Sequence, residues 1–179
     1  MSEQLLIENG APTLANLKTA SLFTVPAGGR DAVENWKRIL AEKGVALEIL
    51  REREESLLVY IYREQRLRQD LSRPEAQCIL CREGYRWGTP CEALEILKQR
   101  LRQEKGFPHE IGLFLGYPPE DVQGFIQHRG RNCKCTGCWK VYGDEEQAAR
   151  QFARFKKCRD IYLQLFCGGR SLTQLTVAS

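Results

Sequence analysis

Val45-Ala46-Leu47-Glu48-Ile49-Leu50-Arg51-Glu52-Arg53-Glu54-Glu55-Ser56-Leu57-Leu58-Val59-Tyr60-Ile61-Tyr62 is the part of the chain from which its fold is best read. Val45, Leu47 and Ile49 alternate with Ala46 and Glu48, the period of a strand with one face buried. A charged turn over residues 51–55 leads into residues 57–62, whose unbroken apolar character suits a strand covered on both faces. Together they predict an antiparallel hairpin. Upstream, Ala20-Ser21-Leu22-Phe23-Thr24-Val25 predicts a further strand, stopped by Pro26-Ala27-Gly28-Gly29. Between these strands, Asp31 followed by Glu34 resembles a capping box. Val33, Trp36, Ile39 and Leu40 recur at helical spacing, and Gly44 closes the segment. Residues 12–18 predict a short helix or turn.

Downstream, Ser72-Arg73-Pro74 and Thr89-Pro90-Cys91-Glu92 both read as helix starts. In the second, Thr89 is placed to cap, Pro90 suits the first helical position and Glu92 can reach back to the Thr89 amide. This helix is expected to run to about residue 105. Residues 110–116, Glu-Ile-Gly-Leu-Phe-Leu-Gly, admit two readings: a buried strand, or the first helix of a helix-turn-helix. Gly112 and Gly116 each weaken a helix by about 1 kcal/mol, which favours the strand. Pro118-Pro119-Glu120-Asp121 starts a helix that reaches Gly130, and residues 139–142 predict a last strand. Asp144 with Gln147 then caps a helix whose core face is Ala148, Phe152, Phe155, Tyr162 and Leu165, ended by Gly168-Gly169. The order predicts a single α/β domain over residues 1–179, with one mixed sheet of about five strands covered by helices.

A chain of 179 residues, 42% hydrophobic, can bury one core without cross-links. Met1-Ser2-Glu3-Gln4 is not a basic start, and Leu5-Leu6-Ile7 ends at once in Glu8-Asn9-Gly10, too short for an export signal. No later apolar stretch approaches the roughly 20 residues that span a bilayer. The expectation is a soluble, cytoplasmic protein that does not engage membranes. Eight cysteines in such a chain are not a disulfide framework but buried residues, metal ligands or reactive thiols. The net charge of +4 is modest.

Three constellations offer chemistry. Cys133-Lys134-Cys135-Thr136-Gly137-Cys138 packs three thiols into one loop, and His128 precedes it by five residues. Cys133, Cys135, Cys138 and His128 therefore make a candidate Cys3His metal site for zinc or iron, and the distant Cys78/Cys81 pair is another possible source of the fourth ligand. Free loop thiols are the bland alternative. Cys91, in the first turn of a capped helix, is a candidate nucleophile, because unpaired amides there favour a thiolate. His109 and Glu110, at the mouth of the presumed strand, are candidate acid-base groups. Basic clusters at Arg129, Arg131, Lys134 and Lys140, and at Arg154, Lys156, Lys157 and Arg159, are interleaved with Trp139 and Phe155 and could suit nucleic acid or a phosphorylated ligand. Asp144, Glu145 and Glu146 cut that field, so nucleic acid is a minority reading. There is no P-loop and no dinucleotide-binding glycine motif.

Residues 11–18 (Ala-Pro-Thr-Leu-Ala-Asn-Leu-Lys), 107–118 (Phe-Pro-His-Glu-Ile-Gly-Leu-Phe-Leu-Gly-Tyr-Pro) and 139–142 (Trp-Lys-Val-Tyr) in that order resemble an uncharacterised bacterial family, a domain of unknown function numbered thirty-seven ninety-three. The resemblance covers nearly the whole chain. It implies a stand-alone cytoplasmic protein without assigned activity, associated with genes for iron uptake and flavodoxin, and hence a protein partner in that metabolism. The family pattern has His-Cys where this chain has Asn9-Gly10, and often an aromatic residue in place of Cys138. The leading expectation is thus metal binding or thiol redox chemistry at the three-cysteine loop. The alternatives are an enzyme using His109, Glu110 and a cysteine, and a small basic interaction or nucleic-acid-binding module.

Overall fold

The computed structural model describes residues 3–103 and 107–178. Its elements are α1 (Glu3–Leu14), β1 (Ala20–Pro26), α2 (Arg30–Ala41), β2 (Ala46–Arg53), β3 (Ser56–Tyr62), α3 (Glu64–Leu71), α4 (Pro74–Arg82), α5 (Pro90–Gln103), α6 (Ile111–Phe114), α7 (Pro119–His128), β4 (Cys135–Thr136), β5 (Lys140–Val141), α8 (Glu145–Cys167) and α9 (Leu172–Leu175). They group into two compact units. One runs to Glu64 and resumes at Phe155, and the other is Gln65–Arg154. Among the described residues no helix is long and apolar enough to cross a membrane.

The first unit contains an antiparallel sheet of order β1-β3-β2. The hairpin forms as its alternation predicts, with Ala46 opposite Tyr62 and Arg53 opposite Ser56, and a bulge between Ile49 and Arg51. β1 pairs with the other edge of β3, Ala20 opposite Tyr62 and Pro26 opposite Ser56. Leu57, Val59 and Ile61 join Phe23, Val25 and Leu47 in one buried apolar cluster. Leu58, Tyr60 and Tyr62 are buried as well, which is why residues 57–62 of β3 carry no charge. Val33, Trp36 and Leu40 of α2 enter the same cluster at the predicted spacing. The predicted capping box is not formed there: Gly29 is the cap and Asp31 sits inside the first turn.

The segment read as a short helix over residues 12–18 is instead the end of α1, which begins at Glu3. Leu6, Ile7, Gly10, Ala11 and Leu14 form its buried stripe. Gly10 lies so close to the sheet that a Cβ there would stand 2.5 Å from Ile61 Cδ1. Helix carbonyls of the last turn lack intrahelical partners. Here the buried Arg63 supplies them, with Nε donating to Thr13 O (2.9 Å) and Nη2 to Leu14 O (2.6 Å). Its remaining arm reaches Lys43 O at 3.3 Å. The Ala11-Pro12-Thr13-Leu14 motif is thus a helix end held by a guanidinium.

The second unit is helical apart from one short ladder, β4 with β5, in which Cys135 faces Val141 and Thr136 faces Lys140. The expected single sheet of about five strands is therefore corrected: a three-stranded sheet and a separate two-stranded one take its place. Residues 110–116 are not a strand. They hold the one-turn helix α6, followed by a turn into α7, as the second of the two readings has it. The glycines that argued for a strand serve the helix pair. A Cβ on Gly112 would stand 2.8 Å from Val122 Cγ2 and 3.0 Å from Tyr117 Cδ2, and Gly116 ends the turn at φ 74°.

The start of α5 is capped as read. Thr89 N donates to Glu92 Oε2 at 3.2 Å and Glu92 N to Thr89 Oγ1 at 3.3 Å. Its predicted end near residue 105 lies outside the described residues, since α5 is described to Gln103. Gln147 N donates to Asp144 Oδ1 (2.9 Å), so the start of α8 is also as read. Ala148, Phe155 and Cys158 are buried along this helix, whereas Leu165, assigned to its core face, is 41% exposed.

Candidate functional site

The site is built where α7 meets the β4-β5 ladder. Asp121, in the first turn of α7, is buried and accepts three hydrogen bonds: from Trp139 Nε1 (2.6 Å), Tyr142 N (2.7 Å) and Gly143 N (2.8 Å). A carboxylate so paired offsets much of the cost of its burial. It fixes the indole of Trp139, which stacks on Tyr117 (ring centroids 4.8 Å apart) and meets Phe152 edge-on at 4.5 Å. Burial, with Cys138 beyond it, pushes the Tyr117 hydroxyl up to about 12, so it stays protonated and donates to Cys138 O at 3.3 Å.

Beside this stack lies a cavity of about 260 Å³. Tyr117, Phe125, Trp139 and Phe107 give it aromatic walls, Val122 and Ile111 add aliphatic ones, and His109, Thr136, Lys140 and Asp121 also line it. Phe107 is 45% exposed. The His109 ring meets Phe125 at 5.1 Å. Lys140 Nζ donates to Gly130 O at 2.6 Å and stands 5.9 Å from the centre of Phe125. The ammonium is thereby held at the edge of an apolar space, where it attracts anions more strongly than it would in water.

His109 and Glu110 are adjacent in sequence but serve different surroundings. Glu110 is 1% exposed, accepts from the Tyr85 hydroxyl at 2.9 Å and lies 2.7 Å from Arg100 Nε. Arg100 also donates to Glu83 O (2.8 Å) and stands over the Tyr85 ring. Burial raises the Glu110 pKa, opposed by its own backbone, by Tyr85 and by Arg100. Glu110 belongs to this buried network, whereas His109 faces the cavity.

The cysteines are dispersed. Cys133 Sγ lies 3.5 Å from Thr136 Oγ1, Cys135 is half-buried in β4, and Cys138 is exposed. Burial pushes the Cys135 thiol up, and Glu145, Cys133 and Asp121 push the same way, which opposes thiolate formation. The His128 ring stacks on Tyr142 at 5.6 Å, nearly parallel. Among the described residues no group of three or more His, Cys, Asp or Glu is arranged to hold a metal ion, so the four ligands named from spacing do not converge. Cys78 and Cys81 are exposed on α4. Cys91 is exposed in the first turn of α5, where the amides of Glu92 and Ala93 already donate to Thr89 Oγ1 and Thr89 O.

Two of the three stretches through which the family resemblance was read, residues 107–118 and 139–142, thus meet around one cavity. The family model described as Protein of unknown function (DUF3793) matches residues 6–176. The chain belongs to this family. No curated protein and no solved structure matches it. The family's Phe-Pro-His-Glu run supplies both sides of the site: Phe107, Pro108 and His109 line the cavity, while Glu110 anchors the segment behind it. Sequence alone does not mark Asp121 or Phe125 as site residues, and it offers Lys140 only as a member of a basic cluster. An aspartate after two prolines reads as a helix start, and its three donors lie 18 to 22 positions away.

Proposed function

We propose that the chain is a ligand-binding protein whose second unit takes a small molecule with one flat apolar ring and one anionic group. The observation that carries this reading is the cavity of about 260 Å³ with four aromatic walls and the Lys140 ammonium at its edge. Its volume is just below the roughly 300–1,000 Å³ of drug-sized sites, which suits a single ring with a short arm. Phe125 and Trp139 would enclose the ring, and Lys140 with His109 would meet the acid. An acid-base role for His109 with Glu110 fits less well, because Glu110 is spent on Tyr85 and Arg100.

Saturation-transfer NMR with phenylacetate, benzyl alcohol and acetate tests the reading. Phenylacetate is expected to bind best, Lys140→Gln to reduce it to the level of benzyl alcohol, and Phe125→Ala to abolish both. No binding by either ring compound, or binding indifferent to Phe125→Ala, overturns it.

A metal or thiol redox role in iron or flavodoxin metabolism is the second reading. It rests on the C-x-C-x-x-C spacing of Cys133, Cys135 and Cys138 and on the placing of Cys135 in the ladder beside the site. Elemental analysis of protein purified without oxygen tests its metal form: near-stoichiometric zinc or iron supports it, and neither metal removes it.

A further inference from the structure

A second cavity in the same unit, of about 710 Å³, shares no lining residue with the aromatic one. Its lining includes Arg68, Arg86, Trp87, Ser72 and Thr89 and, among the described residues, no aspartate or glutamate. Arg86 Nη1 donates to Tyr85 O (2.8 Å) and Cys81 O (3.3 Å), which fixes the guanidinium through one nitrogen and leaves its other donors without a protein partner among the described residues. The guanidinium of Arg68, borne on α3, has no hydrogen bond or ion pair among the described residues, and its residue is exposed. Thr89 Oγ1 accepts from Glu92 N, so its hydroxyl hydrogen is left to donate. The Glu92 carboxylate accepts from the Gly88 and Thr89 amides and is not part of the described lining, in which Arg68 and Arg86 are the charged side chains.

Permanently charged guanidinium groups with spare donors, in a concave site whose described lining residues include no carboxylate, are suited to phosphate, which accepts several charge-assisted hydrogen bonds at once. The half-buried Trp87, whose ring stands perpendicular to that of Tyr85 at 6.3 Å, adds a flat wall on which a ring can stack. The volume lies inside the roughly 300–1,000 Å³ range of small-molecule sites. We propose that this cavity binds a phosphate monoester carrying a planar ring, with the phosphate on Arg68 and Arg86 and the ring against Trp87. The site is independent of the aromatic cavity, and neither needs the other to hold.

Calorimetric titration of the full chain at low ionic strength decides the matter, with adenosine monophosphate, phenyl phosphate, inorganic phosphate and adenosine as probes. At least one ring phosphate is expected to bind at submillimolar to millimolar concentration, and inorganic phosphate and adenosine each about tenfold or more weakly. Arg68→Gln and Arg86→Gln should each cost about tenfold, the loss of one charge-assisted contact, and Trp87→Leu should reduce the ring phosphate to the level of inorganic phosphate. Phe125→Ala should leave this binding unchanged. The Arg68 side chain is exposed and makes no hydrogen bond or ion pair among the described residues, so its variant reports even where Arg86→Gln is destabilised. Failure of both ring phosphates to bind, equal affinity for inorganic phosphate, or full affinity in Arg68→Gln overturns the proposal.

Discussion

The Asp121 carboxylate ties α7 to the two-stranded ladder by three hydrogen bonds, and through Trp139 Nε1 it sets the wall of the aromatic cavity. Asp121→Asn keeps one carbonyl oxygen but turns an NH2 group toward N–H donors that already need an acceptor. Leaving a buried donor unsatisfied costs about 1–3 kcal/mol. Urea unfolding should therefore show a loss of about 2 kcal/mol, and ring ligands of this cavity should bind more weakly because the indole is no longer held. Unchanged stability would mean that the ladder is fixed by the aromatic stack alone. Contacts within one turn of helix are the more legible in sequence: Thr89 with Glu92 and Asp144 with Gln147 form as their spacing predicts, although Asp31 with Glu34 does not. Asp121 and Arg63 were not, because their partners come from elements far along the chain. A charged residue that will be buried looks the same in sequence as one that stays in water.

At the scale of elements, the α6-α7 pair depends on a residue without a side chain. Gly112 lets Val122 and Tyr117 approach, and a Cβ would fall 2.8 Å and 3.0 Å from them. Gly112→Ala should gain helix propensity of about 1 kcal/mol. It should lose about 1–3 kcal/mol to overpacking, so the net change is destabilising. A lower midpoint in thermal unfolding is the expected result, and a rise would show that Val122 yields freely. The same residue explains the misreading of residues 110–116. Propensity charges a glycine for its freedom, whereas this fold uses it for close approach, and a pattern that holds no information on distant packing cannot tell these apart. The β2-β3 hairpin was legible because alternation and a charged turn are local. The start of α1 was not, since Pro12 read as an opening residue whereas it stands near the helix end.

At the scale of the whole molecule, strand order in sequence carried no information on sheet membership. Residues 135–136 and 140–141 pair only with each other, because each strand is two residues long and its helical neighbours, not an open sheet edge, surround it in its unit. The family was legible from three short stretches, and two of them now have a spatial meaning at one cavity. Stability as a whole should report the buried network behind that cavity. Burial raises the Glu110 pKa above the ordinary carboxylate value of 4.5. In the pH range between that value and the raised one, the folded chain holds a proton that the unfolded chain releases. The contribution of Glu110 is therefore fully present below about pH 4.5 and is lost as pH rises through the folded-state pKa. Glu110→Gln keeps an acceptor for the Tyr85 hydroxyl but does not titrate. The difference in unfolding free energy, wild type minus variant, should fall as pH rises through that window and level off above it. A difference that climbs instead would mean that Arg100 outweighs burial and holds Glu110 ionised, reversing the sign of the pKa shift.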